Sequence, residues 1–334
     1  MKASWDFRRS IASVRLLSEL AAEHGVSLGT ALEGSGIAAD ALEQPSTEVE
    51  ARQELQVIRN VVRALPQIPD LGLIAGTRYH LTAYGIWGFA LISSPTMRSA
   101  MNTALRYLDL TFAFARMSFE IEADELRLIV DDHEIPEDVR RFCVERDTAA
   151  VLTIQRELLG RPIALHSLQL RFARPAYADR FAPLFGVEPA FDAPRNAAGF
   201  TPDWLDQALP QANPITAQMC EEQCRRLLAE RRARGGLAGR VRDRLLREPG
   251  HMPDMAQVAA EMHITTRTLR RKLIDEGTSF RALVDEVRET LSEELLRTAR
   301  LSIEDIAERL GYAEASSFIH AFKRWKGVPP SAYR

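Results

Sequence analysis

Apolar residues recur at helical spacing in "RRSIASVRLLSELAAEHG" and again in "TEVEARQELQVIRNVVRAL". This spacing predicts two amphipathic helices, the first stopped near Gly25 and the second at Pro66. Two more follow in "GIWGFALISS" and "PTMRSAMNTALRYLDL", the latter with Ser94 as its cap and Pro95 in its first turn. From Phe112 the period falls to two. "FAFARMSFEIEADELRLIVDD" predicts a strand pair turning near Ala123 and Asp124. Residues 136–159 return to a helix ended by Gly160. Then "IALHSLQLRFA" predicts a strand, "YADRFAPLFG" a short helix, and residues 187–201 two short strands. Together these make an α+β N-terminal domain, helices leading and a sheet near its middle.

The C-terminal third carries a different pattern, a repeat of itself. Val258 and Ala259 recur as Ile306 and Ala307, Met262 as Leu310 and His263 as Gly311, all 48 residues on. Leu269 and Leu273 recur as Phe318 and Phe322 at a spacing of 49, so one residue is added in the turn. Each copy predicts a short helix, a tight turn and a second helix, with Ala259 and Ala307 where the two helices cross. Asp254 with Gln257, and Ser302 with Asp305, have the spacing of capping boxes. The pattern is a helix-turn-helix, twice, in an all-α DNA-binding domain. Between the copies, "TSFRALVDEVRETLSEELLRTA" predicts a helix over 279–299 capped by Thr278, about 31 Å long. One turn of B-DNA rises about 34 Å, so such a helix holds two reading heads one turn apart.

Charge gives these helices a use. The chain of 334 residues has a formal charge of -3. Residues 236–334 nevertheless hold 17 Lys and Arg against 15 Asp and Glu, while the preceding residues hold 26 against 31. In "HITTRTLRRKL" four cations fall within six positions. Leu269 and Leu273 mark the buried stripe of that helix, leaving Thr266, Arg267, Arg270 and Arg271 outward. An arginine fork matches guanine O6 and N7, which suits a helix laid in the major groove. In the second copy the outward face is Ser316, Ser317, His320, Lys323 and Arg324, over a core of Phe318, Phe322 and Trp325.

The length suits two domains. The reading is 1–213 for the first, 214–235 as a helical connector ending in a Gly-Gly break, and 236–334 for the second. There is no run of 18 apolar residues, so no membrane span is expected. Three cysteines and no secretory leader point to a reducing, cytoplasmic setting. Cys220 and Cys224 share a helix face without a second ligand pair, and read as semi-buried thiols rather than a metal site. No phosphate-binding loop, dinucleotide fingerprint or metalloprotease motif appears. No catalytic residue, metal or cofactor is expected, and the chain is not read as an enzyme.

Residues 236–334 resemble the AraC/XylS family of bacterial transcription regulators. The resemblance is carried by "VAAEMHITTRTLRRKLIDEGTSFRALVDEVR" and by "LSIEDIAERLGYAEASSFIHAFKRWKGVPPSAYR", with its specific tail "GVPPSAYR". "YGIWGFALISSPTMRSAMNTALRYLDLT" resembles the arabinose-binding-type effector domain of a subgroup of that family. Two positions depart from the pattern: His263 stands where the family has a turn glycine, and His320 where it often has arginine. The resemblance implies double-stranded DNA, RNA polymerase and a small-molecule effector as partners, and a homodimer; activator is the expected role, with repressor left open. Tyr84, Trp87, Phe112 and Phe114 are the candidate effector-binding aromatics, and Arg106 or Arg141 would hold an anionic effector. Two alternatives stand beside this. The first domain could bind a protein partner or only dimerise. A DNA-repair alkyl acceptor would need a metal-bound nucleophilic cysteine, and Cys143 in "RRFCVERD" has no such neighbours.

Overall fold

The computed structural model describes residues 5–122, 125–161, 164–234, 236–247, 250, 252–298, 301–312 and 314–333. It falls into two compact units, Met1–Ala229 and Glu230–Arg334.

The first unit is α+β. Its helices are α1 (Ala12–Glu23), α2 (Leu28–Leu32), α3 (Ala51–Ala64), α4 (Leu71–Gly76), α5 (Ile86–Ile92), α6 (Met97–Arg106), α7 (Glu137–Leu159), α8 (Phe181–Phe185) and, up to Ala229, α9 (Pro214–Arg234). Its strands are β1 (Arg8–Ser10), β2 (Glu48–Glu50), β3 (Arg116–Glu122), β4 (Glu125–Asp131), β5 (Ser167–Gln169) and β6 (Asn196–Phe200). β3, β4, β6 and β5 lie in that order in one antiparallel sheet, and β1 pairs with β2 in a second. On β4, Leu126, Leu128 and Val130 are buried while the residues between them are not, the alternation of a sheet with one face on the core. The turn expected near Ala123 and Asp124 lies outside the described residues.

Helix α7 is the spine. Fifteen of its 23 residues are buried, too many for one amphipathic face, so it is enclosed on several sides. Helix α4 crosses it closely. A Cβ at Gly76 would stand 2.4 Å from the Arg146 carbonyl oxygen, and one at Gly72 2.7 Å from Glu145 Cβ. No larger residue fits either position without moving the helices apart. The C-cap of α7 is Gly160 at φ 66°, as its position after the last apolar residue predicts.

Some expectations are revised. Arg8–Ser10 and Glu48–Glu50 pair as strands rather than extending the flanking helices. Helix α6 begins at Met97, with Thr96 and Ser99 forming a capping box, so Ser94 is not the cap and Pro95 lies outside the helix. Over 187–201 only Asn196–Phe200 is a strand; Ala190 contributes an isolated bridge to Gln169. Helix α9 sends Cys220, Cys224 and Leu228 into the core of the first unit.

The second unit is helical: α10 (Gly236–Arg247), α11 (Met255–Glu261), α12 (Thr266–Asp275), α13 (Phe280–Thr298), α14 (Ile303–Arg309), α15 (Ala315–Lys326) and α16 (Pro330–Tyr333). It has two small cores. One gathers Val241, Leu245, Val258, Leu269, Leu273 and Leu283; the other Leu296, Ile306, Leu310, Phe318 and Phe322. Leu291, on α13, packs against both. The repeat is thus two cores bridged by one helix. That helix has 19 residues, about 28 Å at the helical rise, and Ser279 rather than Thr278 caps it: its Oγ accepts from the Ala282 amide at 3.2 Å.

Candidate nucleic-acid interface and ligand cavity

The two helix-turn-helix copies are built alike. Asp254 and Gln257 form a capping box on α11, and Ser302 and Asp305 form one on α14. Both turns then pass through the left-handed region, at His263 (φ 53°) and Gly311 (φ 74°). The following amides return to the same carbonyls: Ile264 N–H donates to Ala259 and Tyr312 N–H to Ala307. In α12, Thr265 Oγ1 accepts from the Thr268 amide at 3.1 Å, and Leu269 and Leu273 are fully buried. Thr266, Arg267, Arg270 and Arg271 are exposed. None of the three arginines makes a hydrogen bond or ion pair with the described residues. A planar fork held out with all its donors unspent is what bidentate recognition of a base or phosphate requires.

Helix α15 presents its outer face differently. Ser316, Ser317, His320, Lys323 and Arg324 are exposed. But Ser316 Oγ donates to Glu314 at 3.1 Å, and Arg324 reaches Asp285 at 3.4 Å while lying over the Trp325 ring. Lys326 is clamped by Glu289 (2.7 Å) and Glu293 of α13, whose carboxylates raise its pKa. It fastens α15 to α13, so a phosphate would have to compete with two carboxylates for it. Two supporting residues give no local signal in the sequence. Arg288 donates to the carbonyls of Leu310 (3.0 Å) and Gly311 (3.3 Å) and stacks on Tyr312, bracing the second turn. Glu276 accepts from the Leu237 and Ala238 amides, both at 2.8 Å, and so caps α10.

The first unit holds a cavity of about 90 Å³ between α5, α6, α7 and the sheet. Tyr84, Trp87 and Phe112 line it, with Met97, Met101 and Phe119. Arg146 and Asp147 form part of its wall and belong to a buried ion network. Arg146 donates to Asp147 (2.7 Å and 2.9 Å), to Glu54 (3.2 Å) and to the Phe112 carbonyl (2.8 Å). Arg9 donates to Glu54 (3.3 Å) and to the carbonyls of Phe112 (3.0 Å) and Trp5 (2.8 Å). Ser13 links Glu54 (2.5 Å) to Tyr79 (2.6 Å), whose phenol burial pushes up to about 12. Two guanidiniums and two carboxylates therefore balance in a region sealed from water.

Comparison with known proteins places these sites in a family. Residues 25–209 match the model of the arabinose-binding domain of AraC transcription regulators, and residues 258–334 match a helix-turn-helix domain. An uncharacterized HTH-type transcriptional regulator of Mycobacterium tuberculosis is 36% identical over 332 residues, covering 98% of this chain and 96% of its own. The chain belongs to the AraC family. It is a transcription regulator with a helix-turn-helix DNA-binding domain. The ornithine utilization regulator of Pseudomonas aeruginosa is 33% identical, over 97% of this chain and 95% of that one. The crystal structure of the regulator CdpR from Pseudomonas aeruginosa aligns over 96% of this chain and 97% of its own, at 26% identity and a TM-score of 0.48. Among the described residues, no helix is long and apolar enough to cross a membrane.

For this AraC-family chain, the expected effector residues divide. Tyr84, Trp87 and Phe112 line the cavity. Arg106 does not; it pairs with Glu221 of α9 at 2.5 Å. Phe114 is buried beneath Arg9, 4.3 Å from ring centre to guanidinium, and Arg141 lies over Phe172. The polar wall residues Arg146, Asp147 and Gln155 were missed. A signal existed: Cys143, Arg146, Asp147 and Ala150 fall at the spacing of one buried helical stripe, where charge has no place unless paired. Cys143 itself is fully buried, and burial raises its thiol far above the ordinary range, away from the thiolate that a nucleophile needs. Cys224 is pushed to about 11 for the same reason.

Proposed function

We propose that this chain is a ligand-responsive regulator whose second unit reads two adjacent major grooves and whose first unit binds a small-molecule effector. The observation that carries the DNA half is the row of arginines, Arg267, Arg270 and Arg271, on the exposed face of α12, without a partner among the described residues. The bridging helix α13, about 28 Å long, suits two heads about one 34 Å turn apart. The effector half is supported by the cavity beside the buried ion network. Thr266, Arg267, Arg270 and Arg271 are assigned to one groove, and Ser316, Ser317, His320, Lys323 and Arg324 to the next. A homodimer through the first unit belongs to this reading: Ile215 and Met219, one helical turn apart on α9, are 75% and 66% exposed.

Selection of bound genomic fragments followed by footprinting tests it. Protection of two segments one helical turn apart on one face of the duplex is expected, and a single protected segment overturns the two-groove reading. Residues 236–334 alone should select the same sequence more weakly, because pairing through the first unit raises the effective concentration of the second head. A fragment that binds without sequence preference removes the autonomous reading unit.

A further inference from the structure

We propose that the cavity of the first unit takes a small, uncharged, largely apolar molecule bearing one hydroxyl or amide head group. This deepens the effector half of the proposed function and rests on it.

The walls set the body of the ligand. Leu91, Met97, Met101, Leu105, Phe119 and Leu158 present hydrocarbon, thioether and ring. Such a surface favours apolar matter and leaves a polyhydroxyl ligand with hydroxyls unpaired. The volume of about 90 Å³ keeps the ligand compact. An engineered apolar cavity of about 150 Å³ takes up benzene, so this smaller one reaches a six-carbon body only as its walls adjust. The unbranched Met97, Met101 and Met117 side chains let the walls adjust to it.

The ion network sets the charge. Among the described residues of the wall Arg146 is the only cation, and its donors go to Asp147, Glu54 and the Phe112 carbonyl. Asp147 accepts from Arg146 through Oδ1 and from the Phe114 amide through Oδ2 at 3.3 Å. Glu54 is held by Arg9, Arg146 and Ser13. An anionic ligand finds no unspent cation, and a cationic one no unspent carboxylate. Either must break a pair that is buried and already neutral, leaving an uncompensated charge behind.

Two side chains in the wall set the head group. Trp87 and Gln155 are 4% and 5% exposed, and Trp87 Nε1 and Gln155 Oε1 are buried without a hydrogen-bond partner among the described residues. Other buried polar atoms of the first unit, Trp204 Nε1 and Ser18 Oγ among them, also lack a partner among the described residues, but Trp87 and Gln155 are the two that belong to the cavity wall, where a ligand can supply the missing bond. One is a donor and the other an acceptor, so a head group that reaches both accepts from Trp87 and donates to Gln155 while remaining neutral. A hydroxyl and a primary amide do this; a carboxylate, an ammonium and a bare hydrocarbon do not.

The test uses the full chain with 1-hexanol and phenol as probes, beside hexanoate, hexylammonium, L-ornithine and L-arabinose at equal concentration. Binding is read by titration calorimetry and by the shift in Tm of the first unit. Saturable binding of at least one neutral probe is expected, with none for the other four. Trp87→Phe and Gln155→Leu should each weaken that binding about threefold to tenfold, the worth of one hydrogen bond. Ala150→Leu should fill the cavity and abolish it; if that variant fails to fold, the first two still decide. Tighter binding of a charged or polyhydroxyl probe, no binding of either neutral probe, or binding indifferent to both Trp87→Phe and Gln155→Leu overturns the proposal. A parallel mobility-shift assay on selected operator DNA keeps the two readings apart. Operator binding without neutral-probe binding sinks the ligand class and leaves the regulator. Probe binding that meets these criteria without any change in operator affinity supports the site and sinks effector control.

Discussion

Arg146 and Arg270 are the same side chain put to opposite uses. Arg146 is enclosed, and its donors are given to Asp147, Glu54 and a carbonyl of its own chain. Arg270 is exposed and gives none of its donors to the described residues. The first arrangement holds a fold together around a cavity. The second keeps its hydrogen bonds for another molecule. The difference is set by what flanks each arginine. Helix α7 supplies an acid next to Arg146 and buries both. The first half of α12 supplies no acid within reach and faces away from its own core.

The largest effect should come from breaking the buried member. Arg146→Met leaves Asp147 and Glu54 short of a counter-charge in a dry site. Removing one partner of a buried ion pair typically costs about 3–5 kcal/mol. Chemical denaturation should show the first unit losing about that much, while the transition of the second unit stays in place. An unchanged first transition would mean the network contributes nothing to folding.

A second buried charge sharpens the contrast through pH. Glu145, one residue before Arg146, is buried and accepts from the Tyr177 hydroxyl at 2.7 Å. Burial raises its carboxyl to about 8. A folded-state pKa above the unfolded one gives stability that is present at low pH and is lost as pH rises. Here the loss accrues between the ordinary carboxyl range near 4.5 and about 8. The slope within that window is about 1.4 kcal/mol per pH unit for one such group. The first unit should therefore be less stable at pH 8 than at pH 6, and Glu145→Gln should flatten that dependence. If the slope survives in Glu145→Gln, another group is responsible.

The exposed member should behave the other way. Arg270→Ala and Arg271→Ala should each leave both unfolding transitions unmoved. At least one should weaken operator binding, by about 1–3 kcal/mol for a lost bidentate base contact. Wild-type operator affinity in both variants, at matched salt, would remove α12 from the groove. A base-by-base substitution scan extends the comparison to the two heads. The half-site read by α15 should tolerate more substitutions, since Arg324 leans toward Asp285 and Lys326 is clamped. Equal intolerance in both halves would make the heads equivalent.

How much of this could be read from the chain depends on the range of the signal. The double helix-turn-helix was open to view because its signals are local and repeated: apolar spacing, capping pairs and a turn residue, each 48 or 49 positions apart. The strands Arg8–Ser10 and Glu48–Glu50 were hidden, because three residues are too few to show a period and their partner lies about forty positions away. The cavity was half visible. Aromatics near one another in sequence, Tyr84 and Trp87, do share it. Phe114 and Arg106 are as near, yet Phe114 is sealed against Arg9 and Arg106 turns to Glu221, more than a hundred residues on. Contacts of that span leave no trace in local spacing.

The smallest expected effect lies in the turns, where the two copies of one motif differ by one residue. His263 and Gly311 both hold left-handed backbone, and the hydrogen bonds around them match. A non-glycine residue there costs on the order of 1 kcal/mol. Glycine avoids that cost but gives up about 0.5–1 kcal/mol through the freedom it adds to the unfolded chain. His263→Gly should thus stabilise the second unit by no more than a few tenths of a kcal/mol. Gly311→Ala should destabilise it by a few tenths of a kcal/mol on the same balance; an added Cβ meets only the end of Arg288, 3.5 Å away, so the loss would come from the backbone and not from crowding. The informative readout is operator affinity. His263 is exposed and stands one residue before the Ile264–Thr265 entry to α12, beside the face that carries Arg267. If His263→Gly leaves affinity at the wild-type value, histidine is merely tolerated in the turn and the two copies are equivalent there. If affinity falls while stability holds, the imidazole touches the duplex, and the first head spends backbone strain on a contact that the second head, with Gly311, does not make.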